Sequence, residues 1–165
     1  MIRQLSFIGT LMLGFSPAFA QEEERGRVTN LPLPRYVSIN ANEANVRRGP
    51  GMTHRIDWVF LHRQMPVLIV DEYEHWRRVQ DRDGAGGWVH YSLLSGTRTV
   101  IVERDMLPLY DTPEDDTRIN AYLALDVIAR IDECTIDWCR LIADGHRGWA
   151  PKTALWGVDP DEIID

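Results

Sequence analysis

Apolar positions in this chain come in short alternating runs, broken about every ten residues by Gly, Pro, Asn or Asp. No stretch of residues 21–165 holds a 3.6-residue apolar period. The pattern therefore predicts strands rather than helices. Runs at 36–39, 56–61, 66–71, 76–80 and 87–91 are read as strands, the last two forming a hairpin across 81–86. Trp76 and Val79 fall out of phase along their run, which predicts a bulge or a strong twist there. Residues 45–51 are read as a loop, because Gly49-Pro50-Gly51 permits a tight reversal. Ser92-Leu93-Leu94 is read as a single helical turn.

The pattern then repeats. Trp76 and Trp88 are twelve residues apart, and Trp138 and Trp149 are eleven apart in similar company, about sixty residues further on. Strands are expected at 100–103, 121–125, 127–131, 138–143 and 147–150, with a turn at Asp144-Gly145 and a helical turn at 153–156. Five short strands and one helical turn per copy fit a small, strongly curved β-barrel. We expect an all-β chain of two tandem barrels, residues 36–98 and 99–158, with an acidic tail at 159–165. Only 95–98 separate the copies, so no flexible linker is expected and the orientation of the two should be fixed.

The N-terminus adds an address. Arg3 precedes an apolar stretch from Leu5 to Phe15, and Ala18-Phe19-Ala20 forms an A-x-A cleavage site. This reads as a secretory signal peptide, residues 1–20, cut between Ala20 and Gln21. The rival is a membrane anchor, but the apolar run is shorter than the ~20 residues a spanning helix needs. Export to the periplasm, with no membrane span after cleavage, is the expectation. Residues 21–35 are read as a mobile lead-in that becomes extended at Leu31-Pro32-Leu33-Pro34, lying as a cover on its own domain.

Charge is uneven. Residues 36–99 carry eight Arg against seven acids, whereas 100–165 carry five Arg and one Lys against fifteen acids. An acidic second half argues against nucleic acid, which is bound through clustered positive charge. The chain has two cysteines, Cys134 and Cys139, with four residues between them that can turn a hairpin. In an oxidising compartment they are expected to form a structural disulfide. A redox pair is the alternative, but C-x-x-C spacing is missing.

The run Asn45-Val46-Arg47-Arg48-Gly49-Pro50-Gly51, followed by Trp76-Arg77-Arg78-Val79 and Gly87-Trp88-Val89-His90, resembles the bacterial SH3-like (SH3b) domain family. More narrowly, Leu31-Pro32-Leu33-Pro34-Arg35-Tyr36-Val37-Ser38, Ser92-Leu93-Leu94-Ser95-Gly96 and Leu155-Trp156-Gly157-Val158 resemble exported tandem proteins of Gram-negative bacteria. The match spans Leu31 to about Glu162 and is looser in the second copy, where Leu109-Tyr110-Asp111-Thr112-Pro113 replaces the Val-Arg-Arg-Gly-Pro signature. The resemblance implies small β-barrels used for recognition of cell wall or protein, without catalysis of their own.

Reactive constellations are scarce. The five histidines, His54, His62, His75, His90 and His146, form no H-E-x-x-H, H-x-H or Cys/His ligand set, so neither metal nor other cofactor is expected. No Ser lies in a G-x-S-x-G elbow, and the carboxylate runs Glu114-Asp115-Asp116 and Asp159-Pro160-Asp161-Glu162 read as solvated charge. The candidate ligand-binding residues are Arg47, Arg48, Trp58, Tyr73, Trp76, Trp88 and Tyr91. They are expected around a shallow groove between the loop at 47–55 and the turn at 72–75, with both arginines on its lip. Aromatic faces stack on peptide or sugar, and Arg forks pair with carboxylates. For Trp76 and Trp88 a purely structural place in the core is the stronger reading. The expected function is a non-catalytic exported adaptor for cell-wall peptidoglycan or an envelope protein. The alternative is a peptidoglycan hydrolase, or its accessory subunit, with catalytic residues that follow no motif.

Overall fold

The computed structural model describes residues 24–165. The proposed signal peptide lies outside the described residues. The rest is almost entirely strand, arranged as two seven-stranded antiparallel sheets. The first contains β1 (Arg35–Ile39), β2 (Ala44–Arg47), β3 (Ile56–Phe60), β4 (Pro66–Tyr73), β5 (Trp76–Gln80), β6 (Gly86–His90) and β7 (Leu94–Ser95). The second contains β8 (Thr99–Val102), β9 (Leu107–Tyr110), β10 (Ile119–Leu123), β11 (Ile128–Cys134), β12 (Trp138–Ala143), β13 (His146–Pro151) and β14 (Leu155–Trp156). Strand order is β3-β2-β6-β5-β4-β1-β7 in one and β10-β9-β13-β12-β11-β8-β14 in the other, so each element has its counterpart seven places on. Single 3-10 turns at Tyr91–Leu93 and Lys152–Ala154 precede the last strand of each copy.

Four strands add to the five expected in each copy: β7 and β14, which take Leu94 and residues 155–156 from the expected helical turns, and two longer ones. Ala44–Arg47, which overlaps the loop expected at 45–51, is β2, and Leu107–Tyr110 is its counterpart β9. Each has only two inward residues, Ala44 and Val46 or Leu107 and Leu109, all fully buried. The helical turns start one residue earlier than their predicted positions, at Tyr91 and Lys152.

The bulge is also displaced, onto the neighbouring strand. Ile69 pairs with Val79 and Asp71 with Arg78, so one extra residue of β4 sits opposite the regular β5. The slip changes which side chains face inward: Val67 and Ile69 are followed in the interior by Glu72 rather than Asp71. β11 does the same after Ile131, making Cys134 the next inward residue. Trp76 is buried on the outward face of β5, against His90, which accounts for its phase relative to Val79.

Each sheet closes over its own core. Ile39, Val46, Val67, Val79 and Val89 fill the first; Val100, Val102, Leu107, Leu109 and Leu141 fill the second. Burying each such side chain contributes roughly 1.5–3 kcal/mol. Cys134 and Cys139, cross-strand partners at the end of β11 and β12, are joined by a disulfide.

The described part of the lead-in is not free chain. Gly26 N–H bonds to the Leu31 carbonyl at 2.8 Å, Leu33 is buried, and Glu72 accepts from the backbone of Val28 and Thr29 and from the Thr29 hydroxyl. Nor is the run at 159–162 merely solvated charge. Glu162 pairs with Arg98, and Ile164 exchanges backbone hydrogen bonds with Cys134 at 2.7 and 3.1 Å. The barrels meet through Thr99, whose hydroxyl donates to the Gln64 carbonyl at 2.7 Å, and through an Arg82–Asp126 ion pair at 2.5 Å.

Candidate ligand site

β2, β5 and β6 build an outward face beside the 3-10 turn. Register places Trp76 opposite His90, Arg78 opposite Trp88, and Trp88 opposite Arg47. The inward partners Val46, Val79 and Val89 lock this surface to the core. Gly87 lets β2 and β6 approach: a Cβ there would stand 2.7 Å from the Arg47 carbonyl oxygen.

A cavity of about 290 Å³ opens on this face, lined by Asn45, Arg47, Met52, Trp76, His90, Ser92 and Leu93. Trp76 packs edge-on against His90 with ring centroids 5.4 Å apart. His90 lies 5.0 Å from Tyr91, and His75 lies 5.8 Å from Tyr91, so four aromatic rings form one continuous surface. The Arg77 guanidinium lies 5.9 Å from the Tyr91 ring centre.

Ser92 Oγ lies 2.7 Å from His90 Nδ1, and the Ser92 N–H donates to the same nitrogen at 3.4 Å. That nitrogen caps the 3-10 turn as an acceptor, leaving the other ring nitrogen to carry the proton in the neutral imidazole. Arg47 donates to the carbonyls of Met52 and His54 at 2.9 and 2.7 Å. It shapes its own loop while forming one wall of the cavity. The arrangement can hold a flat or apolar group against Trp76 and offer hydrogen bonds at its rim.

The predicted site residues divide. Arg47 and Trp76 share the cavity, with Tyr91 continuing its aromatic surface. Arg48 turns away to pair with Asp57 at 3.3 Å, in a separate cleft of about 400 Å³ that it shares with Arg78 and Trp88. Hydrogen bonds from Arg55 first, then Arg48, outweigh desolvation and hold the Asp57 carboxyl below its ordinary range. Trp58, on β3, and Tyr73, at the end of β4, are exposed and outside the lining of either opening. The full set thus does not converge on one groove. Asn45, Met52, Ser92 and Leu93 are not among the candidate residues. Asn45, Ser92 and Leu93 do stand in the runs that carry the family resemblance, so the lining residue without any such sign is Met52. Among the described residues no three His, Cys, Asp or Glu side chains group as a metal site.

The family comparison bears on the same elements. The bacterial SH3 domain model matches twice, over residues 40–96 and 103–157. The chain belongs to the bacterial SH3 domain family. Its two SH3 domains account for most of the described chain. No curated protein matches it in sequence. Among solved structures it is similar to NlpC2 of Trichomonas vaginalis, at 15% identity over 76% of this chain and 50% of that one, with a TM-score of 0.35. NlpC1 of the same organism gives 14% identity, 79% and 48% coverage and a TM-score of 0.35. An NlpC/P60 family protein from Bacillus cereus ATCC 10987 gives 12%, 73%, 55% and 0.34. The chain spans about half the length of each. No helix among the described residues is long and apolar enough to cross a membrane.

Proposed function

We propose that this chain is an exported, non-catalytic adaptor that recognises a cell-wall or envelope-protein ligand through its first SH3 domain. In this reading residues 1–20 are a signal peptide removed on export to the periplasm. Residues 36–98 and 99–158 are the two domains, and 159–165 is a docked acidic tail. The observation that carries it is the cavity bounded by Arg47, Trp76 and His90, continuous with the exposed Tyr91 ring. Rings of this kind stack on sugar or peptide without any reacting group.

The test is co-sedimentation of the purified chain with isolated sacculi, beside His90→Ala, Tyr91→Ala and the Arg47→Ala/Arg48→Ala double variant. Retention of wild type and its loss in His90→Ala and Tyr91→Ala is the expected result. No retention of wild type removes the cell-wall ligand and leaves an envelope protein as partner. A cleared band on peptidoglycan zymography overturns the non-catalytic reading.

A further inference from the structure

A second cavity, of about 520 Å³, lies in the second domain. Trp138 stands in it opposite Pro151, at the register place that Trp76 and His90 occupy in the first domain. The size is within the range of small-molecule and peptide sites. Trp138, Pro151, Leu155 and Val158 give it apolar walls. The Trp138 ring is set by an edge-on contact with Tyr110 at 5.8 Å.

Its polar lining differs from that of the first domain. Where the first has exposed Tyr91, the second has Lys152, the first residue of its own 3-10 turn and only 7% exposed. The Lys152 ammonium donates to the Pro160 carbonyl at 3.2 Å and to the Glu162 carbonyl. An ammonium has three donors, and among the described residues no acceptor takes the third. The charge of this cation acts on the Asp159 and Glu162 carboxylates, and it is the third N–H that an oxygen ligand would take up, because a buried donor left unmatched is costly. The carbonyls that hold it belong to the C-terminal segment, itself fixed by Arg98–Glu162 and Ile164–Cys134. The cation is therefore held in place on the cavity wall. Exposed Arg104 adds a second positive group to the lining.

We infer that this cavity binds the C-terminal end of a short apolar peptide. The terminal carboxylate meets Lys152 and Arg104, and the apolar side chain lies against Trp138, Leu155 and Val158. Asp115 and Asp137 also line the opening, and their charge disfavours a ligand that is acidic throughout. The two domains thus take different ligands. The inference does not rest on the reading of the first domain, since it uses none of its residues.

The test is nitrogen–proton correlation spectroscopy on the whole chain as purified from cells, titrated with N-acetyl-leucyl-leucine and with its C-terminal amide. The free acid is expected to give saturable shifts at the Trp138 indole and at the amides of Thr153 and Leu155. The amide is expected to bind about tenfold more weakly, the loss of a charge-assisted contact. Arg104→Ala, an exposed change that leaves the fold intact, is expected to weaken the acid roughly three- to tenfold and the amide little. Equal binding of acid and amide, shifts centred on Trp76 and His90, or no shift at millimolar peptide overturns the proposal.

Discussion

Glu72 and Arg77 face each other across β4 and β5 at the register place where the second domain carries its disulfide. The pairs one step before, Asp71 with Arg78 and Glu133 with Arg140, fix the equivalence. In the first domain Arg77 Nε lies 3.6 Å from Glu72 Oε1, with Glu72 fully buried. In the second, Cys134 and Cys139 are bonded with Cα atoms 4.1 Å apart. Both bulges turn the residue at this place inward, and at both a segment flanking the domains is docked. Residues 28–29 bind the Glu72 carboxylate, and Ile164 binds the Cys134 backbone. An ionic clasp and a covalent one thus close the same end of the same hairpin.

The ionic clasp makes the first domain acid-sensitive. Burial pushes the Glu72 carboxyl upward, but hydrogen bonds from Thr29, Arg35 and Val28 outweigh it and bring the pKa to about 2, from an ordinary 4.5. Because the folded value is the lower, the stabilisation is complete above the unfolded pKa and is lost as pH falls through about 2. Its size is on the order of 3 kcal/mol. Denaturant titrations at a series of acid pH values should show this loss in wild type and a shallower slope in Glu72→Gln. At neutral pH the same variant is expected to cost about 3–5 kcal/mol, because it leaves Arg35 and Arg77 without their buried counter-charge. Equal slopes for wild type and variant would remove Glu72 as the source.

The covalent clasp answers to reductant instead. A loop this short should stabilise the second domain by about 2 kcal/mol. Reduction, or the double change Cys134→Ser/Cys139→Ser, is expected to destabilise the second domain by that amount, read as a lower unfolding midpoint. It should also raise amide exchange at Ile164, whose partner is the Cys134 backbone. Exchange at Val28 and Thr29 should not change, because their clasp is Glu72.

These two clasps also mark where the sequence can be read and where it cannot. The tandem repeat was legible because the hairpin between paired tryptophans has a nearly fixed length in both copies, and the cysteine pair because its spacing matches a hairpin end. β2 and β9 were not. A four-residue strand with two inward side chains has too few positions to establish a period, and Gly49-Pro50-Gly51 beside β2 signals a turn. The bulge was visible as a phase error in β5, yet the extra residue belongs to β4, and no single-strand pattern can assign it. Of the candidate residues, Arg47 and Trp76 share one cavity. Arg48 turns to another, because adjacent residues at the end of a strand leave in different directions. Ser92 and Met52 reach the cavity only through a 3-10 turn and a loop braced by Arg47.

The close approach of neighbouring strands supplies a test of the repeat itself. At Gly87 a Cβ would lie 2.7 Å from the Arg47 carbonyl oxygen, and at Gly148 it would lie 2.8 Å from both Leu109 Cβ and the Tyr110 carbonyl oxygen. These are equivalent positions, each setting the gap to β2 or β9. Gly87→Ala and Gly148→Ala are each expected to cost about 1–3 kcal/mol through overpacking. Each should lower the midpoint of its own domain. Gly96→Ala, where nothing lies within 4 Å of the added carbon, is the matched control and should be near neutral.

The contact between domains separates a buried bond from an exposed one. Thr99 is 1% exposed and donates to the Gln64 carbonyl, whereas Asp126, the partner of Arg82, is largely exposed. Thr99→Val removes a buried donor and is expected to cost about 1–3 kcal/mol, with little dependence on salt. Arg82→Ala should cost less than about 1 kcal/mol. A double-mutant cycle between Arg82→Ala and Asp126→Ala should give a coupling of roughly 0.2–1 kcal/mol at low salt that shrinks at high salt. Denaturant titrations of the variants at two ionic strengths measure both quantities. Zero Arg82–Asp126 coupling together with a neutral Thr99→Val would mean that neither bond holds the barrels together.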